Sequence, residues 1–86
     1  MSTLTKTIQV KLFAAAKQIA QKDLVQVDLP ASATIADLRK ALAAKYPPLA
    51  DLISLAAFAI DMDFANDESV IPTDADVACI PPVSGG

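Results

Sequence analysis

The sequence ends Pro81-Pro82-Val83-Ser84-Gly85-Gly86, and its only two glycines are the last two residues. Two prolines hold a chain extended and remove ladder donors. Ser84, Gly85 and Gly86 then make a thin, freely turning end. A peptide of that shape can thread a narrow channel and present its carboxylate at the bottom. The plainer reading is an ordinary frayed terminus. If the terminus is used, its chemistry is narrow. A carboxylate is a poor acyl donor until it is adenylated. A sulfur nucleophile attacking the acyl-adenylate leaves a thiocarboxylate, whose sulfur is itself a good nucleophile. Gly86 has no Cβ to crowd attack at its carbonyl, a physical reason for such a carrier to end in glycine.

The remaining side chains offer less. There is no histidine and only one cysteine. That removes a Cys/His zinc site, a Ser-His-Asp triad and a Cys-His pair, and no metal site is expected. Asp61 and Asp63 would share one side of an extended strand, where a carboxylate pair can hold a cation weakly or work as acid and base. A solvated edge is the commoner role. Asp74 and Asp76 repeat the spacing without the glycine and ligand series of an EF-hand loop. No glycine-rich phosphate loop is present. Cys79 lies in an apolar run and reads as a buried, inert thiol. Lys17 is either solubilising or a partner contact. Phe13, Phe58, Phe64 and Tyr46 read as core or rim, with an apolar docking patch near the tail still open.

A chain of 86 residues suits one domain, and 53% hydrophobic content argues against disorder. Lys and Arg never cluster, which speaks against a nucleic-acid or anionic-membrane surface. The net charge of −3 favours a basic partner. A single cysteine fits a reducing, cytoplasmic setting. Residues Met1 to Lys6 carry no apolar run and do not read as a signal peptide. No stretch is long enough to cross a membrane.

The elements that must position the tail follow from periodicity. Ile8, Val10 and Leu12 alternate with polar residues, as do Val25, Val27 and Leu29. Two strands with one buried face are predicted, paired antiparallel. Residues Phe13 to Ala20 between them form a helical turn or an ordered loop. Thr34 and Asp37 form a shortened capping box, and Ile35, Leu38, Ala41 and Leu42 make an apolar stripe. A helix is predicted over Ile35 to Lys45, stopped by Pro47, with Arg39, Lys40 and Ala43 on its far side. Pro47 to Ile53 reads as a bend and one helical turn, and Leu55 to Ile60 as a strand. Val70-Ile71 is a short strand, Asp74 accepts left-handed geometry in a turn, and Val77 to Ile80 is a central strand. The class is α+β: a mixed sheet of four to five strands packed on one main helix. A β-grasp domain over residues 1–80 with an extended tail over 81–86 satisfies this order. The ferredoxin-like rival needs a second full helix.

On these motifs the chain resembles the small, sulfur-carrying subunit of molybdopterin synthase, a ubiquitin-like β-grasp family. The ending Ile80-Pro81-Pro82-Val83-Ser84-Gly85-Gly86 carries most of the likeness. Leu12-Phe13-Ala14-Ala15-Ala16-Lys17 matches the family's start, with Lys17 where arginine is common, and Thr34-Ile35-Ala36-Asp37-Leu38 matches its helix start. Ala59-Ile60-Asp61 stands where Ala-Val-Asn is usual, and Asp74 where the late turn carries glycine.

The resemblance implies that an activating enzyme adenylates Gly86 with ATP and magnesium and converts it to a thiocarboxylate. On that resemblance the chain itself would bind no cofactor. Its tail, through Pro81, Pro82, Val83, Ser84 and Gly85, would enter the large subunit of a heterotetramer. There it would give sulfur to cyclic pyranopterin monophosphate, the catalytic pocket belonging to the large subunit. Phe13 and Lys17 would lie on the docking face. The competing readings are a carrier for thiazole or another sulfur metabolite, a ubiquitin-like modifier of lysines, and a plain interaction module with an inert tail.

Overall fold

A computed structural model describes residues 4–82. The first strand, β1 (Thr5–Leu12), buries every second residue: Lys6, Ile8, Val10 and Leu12 face inward. β2 (Leu24–Pro30) does the same with Val25, Val27 and Leu29. The two pair antiparallel from Thr5–Pro30 to Lys11–Leu24. Their connection is a helix, α1 (Ala14–Ala20), rather than a loop. Ala16 is its one fully buried residue, and Gln21 ends it in left-handed geometry with φ 58°.

The main helix, α2 (Ile35–Lys45), has the predicted bounds. Its capping is complete. Thr34 Oγ1 accepts from Asp37 N at 3.4 Å, and Asp37 Oδ2 accepts from Thr34 N at 3.0 Å. The amides of Ile35 and Ala36 donate to Ser69 O and Asp67 O, both at 3.0 Å. The helix-start donors that normally lack partners are therefore all met within the chain. Ile35, Leu38 and Leu42 pack onto the sheet, each contributing roughly 1.5–3 kcal/mol by leaving water. Pro47 ends α2, and a single 3₁₀ turn (Pro47–Leu49) leads into α3 (Ala50–Leu55). Leu55 thus closes a helix instead of opening a strand.

β3 (Ala57–Ile60) turns tightly into β4 (Asp63–Ala65), and β5 (Val77–Ile80) is the last described strand along the chain. The strand order is β2-β1-β5-β3-β4. β5 runs parallel to β1 and antiparallel to β3, so it is central as predicted. This is the β-grasp arrangement. The short fourth strand is Asp63–Ala65, not Val70-Ile71; Val70 makes only an isolated bridge to Thr34. Periodicity missed β4 because the turn before it holds no glycine. Asp61 and Met62 both take positive φ, 49° and 74°, the geometry a two-residue hairpin turn needs.

Candidate functional site

The tail is positioned by β5. Val77 and Cys79 face the core, and Ala78 and Ile80 face the other side of the sheet. Cys79 pairs with Leu12, and Ile80 with Ala57, so the chain leaves the sheet between β1 and β3. Pro81 is buried and Pro82 exposed. Val83, Ser84, Gly85 and Gly86 lie outside the described residues.

The sheet face turned away from α2 carries an apolar strip beside this exit. Across the strands, Leu24, Lys11, Ala78, Ala59 and Phe64 stand in one register row. Phe64 is 76% exposed, and Leu24 also lies open. Ala57 and Ile80 form the next pair of the strip. Phe13, 47% exposed, follows directly from β1 in extended geometry and caps α1. Its carbonyl accepts from Ala16 N at 3.1 Å. Phe13, Lys17, Lys11 and Leu24 line an open groove of about 480 Å³ at the same end of the sheet. The structure therefore brings the two candidate contact residues, Phe13 and Lys17, together beside the exit.

Phe58 is wholly buried core, Phe64 is rim, and Tyr46 packs half-buried against the core. Cys79 is also fully buried. Burial pushes its thiol up to about 11, with the Arg39 guanidinium pulling the other way. A thiol so held stays protonated near neutrality and is a poor nucleophile.

Asp61 and Asp63 do not form a pair on one side of a strand. Asp61 sits in the hairpin turn, where its Oδ1 accepts from Asp76 N at 2.9 Å and its own amide donates to Asp76 O at 2.7 Å. Its role is to latch the β3–β4 turn to the start of β5. Asp74 takes φ 62°, the left-handed geometry predicted for it. Both departures from the family pattern, Asp61 and Asp74, thus keep the backbone shape their turns require.

Periodicity set Arg39 on the far side of α2 and did not show that its side chain is tied down. Its Nη1 donates to Ile53 O at 2.7 Å and Ala56 O at 2.6 Å, and its Nη2 meets Asp67 Oδ1 at 2.9 Å. The guanidinium lies 4.9 Å from the Phe58 ring centroid. Arg39 therefore ties α2 to the α3–β3 corner and to the 66–69 turn. The available signal was that it is the sole arginine, the one side chain with a rigid five-donor fork.

Comparison with known proteins agrees with this geometry. The ThiS family model matches residues 10–86. A molybdopterin synthase sulfur carrier subunit of Caenorhabditis briggsae is 32% identical, covering 93% of this chain and 98% of the relative. The crystal structure of SAMP1 from Haloferax volcanii superposes with a TM-score of 0.81 at 26% identity, covering 93% of this chain and 99% of that one. A protein–protein complex of subunits 1 and 2 of the molybdopterin-converting factor from Helicobacter pylori contains the same fold, with a TM-score of 0.62 at 18% identity and coverage of 93% and 99%.

Proposed function

The chain belongs to the ThiS family, and from that premise we propose that it is the sulfur carrier subunit of a molybdopterin synthase. The observation that carries the reading is the placement of β5: a central strand delivers a Pro-Pro-Val-Ser-Gly-Gly ending from the middle of the sheet, beside an exposed apolar strip. The C. briggsae relative, matched over 98% of its length, supports molybdopterin over thiazole as the destination of the sulfur.

In this reading the Gly86 carboxylate attacks ATP on an activating enzyme that uses magnesium, releasing pyrophosphate and forming the acyl-adenylate. A sulfur donor on that enzyme displaces AMP and leaves the Gly86 thiocarboxylate. The carrier then docks on the large subunit through the apolar strip. Its tail reaches the pocket holding cyclic pyranopterin monophosphate, and the thiocarboxylate sulfur bonds to a side-chain carbon of the pterin as that carbon's oxygen substituent leaves. Water later releases the acyl group, returning Gly86 as a carboxylate. Two rounds supply the two dithiolene sulfurs. The carrier contributes the reagent and the docking face, and the large subunit contributes the pocket, in a heterotetramer centred on a large-subunit dimer in the cytoplasm. Pro81 and Pro82 set the direction of the tail, and Val83, Ser84 and Gly85 guide it.

The experiment is reconstitution. Thiocarboxylated chain, large subunit and the pterin precursor should yield molybdopterin, and the Phe64→Ser chain should yield it more slowly. No product from an otherwise active large subunit would refute the assignment.

A further inference from the structure

The net charge of −3 conceals a separation of charge along the sheet. At the end where the chain leaves, Lys11 stands inside the apolar row, between Leu24 and Ala78. Lys17 lines the same groove, and Lys22 joins it in the adjoining depression. All three are exposed, and the one ion pair among the described residues, Arg39–Asp67, involves none of them. At the opposite end of β5 stand Asp61, Asp74 and Asp76. Asp23 lines both depressions as well, and three lysines against this one carboxylate leave the tail end net basic on an acidic protein.

A partner that covers the apolar strip must also cover Lys11, and it crowds Lys17. Taking an ammonium out of water without a counter-group is costly, so a stable interface supplies one. Opposite charges at such a rim also speed and orient the encounter. We propose that the large-subunit surface receiving this chain is apolar at its centre and carries carboxylates on the side where the tail enters, opposite Lys11 and Lys17. This rests on the reading of the apolar strip as the docking face for that subunit. It also revises the expectation from net charge alone, which pointed to a basic partner. The local field at the tail end has the opposite sign from the whole.

The test measures association of the full chain with the large subunit from the same organism, at low and high ionic strength. Lys11→Glu and Lys17→Glu alter the groove. Lys40→Glu, on the exposed side of α2, changes net charge equally far from the strip. The expected result is a fall in association rate on the order of ten-fold for either groove variant at low salt. The gap should close as salt screens it, and Lys40→Glu should match the original chain. Unchanged rates in the groove variants would overturn the proposal while leaving the sulfur-carrier assignment intact. So would an equal loss in Lys40→Glu, which would make net charge the cause. Competition by inorganic phosphate beyond its ionic strength would also overturn it, by assigning the lysines to a substrate anion. Failure of the original chain to bind at all would instead remove the docking reading and the proposal together.

Discussion

Leu12 and Cys79 lie side by side in the parallel ladder between β1 and β5. Their pairing fixes where the chain leaves the sheet: at its centre, next to Phe13, rather than at a rim. Pro81 and Pro82, where the tail begins, therefore follow a central strand. Replacing Gly85 with Val adds a β-branched side chain at the narrowest part of that tail. Unfolding free energy should stay within about 0.5 kcal/mol of the original. Sulfur transfer should fall on the order of 10- to 100-fold, because small misplacement of a reacting group is costly. Denaturation and single-turnover transfer, measured together, check both halves.

Lys6 is the polar exception in the core, 9% exposed on the inward face of β1. Its ammonium donates to Ala31 O at 2.7 Å and also to Ile71 O. It joins the β2–α2 corner to the segment that crosses the start of α2. Lys6→Met keeps the stem and leaves both carbonyls without their donor. The expected loss is about 1–3 kcal/mol of stability. A urea midpoint equal to that of the original chain would show that water replaces the ammonium.

The glycine-free turns carry a removable cost. Met62 holds φ 74° and is 95% exposed, so its side chain has little to lose. Gln21 holds φ 58° at the end of α1, the position where glycine is most favoured. Met62→Gly and Gln21→Gly should each raise stability by about 0.5–1 kcal/mol, relieving left-handed strain. Thermal melts of the two variants read this directly.

Cys79 should make stability fall at high pH. Below its ordinary value of 9.0 the thiol is protonated in both states and its contribution is complete. Between there and about 11 the unfolded chain ionises while the folded chain does not, so stability declines. The loss is on the order of 2 kcal/mol and should vanish in Cys79→Val. Near pH 8, alkylation of Cys79 should proceed only as fast as the protein opens. Rapid labelling of folded protein would contradict the burial.

Strong alternation and a strong cap made the fold legible. Thr34, Asp37 and the apolar stripe defined α2 to the residue, and Val77 to Ile80, apolar throughout, read as a central strand. The hairpin to β4 was hidden because Asp61 and Met62 adopt positive φ without glycine to advertise it. Arg39 was hidden for another reason. Helical spacing describes where a Cβ points, and a long side chain can travel back along the surface to carbonyls at the α3–β3 corner. Lys17 was already open as a partner contact from the sequence, and the resemblance set it with Phe13 on a docking face. Their meeting with Lys11 and Leu24 in one groove required the register of β1 against β2.

The proposed function turns on sulfur carried at Gly86. The most direct measurement is the intact mass of the chain, isolated rapidly from its native cells and fragmented to locate any change. One oxygen replaced by sulfur at Gly86 is the expected result. An unmodified Gly86, in cells shown to be making molybdopterin and under conditions that preserve thiocarboxylates, would contradict it.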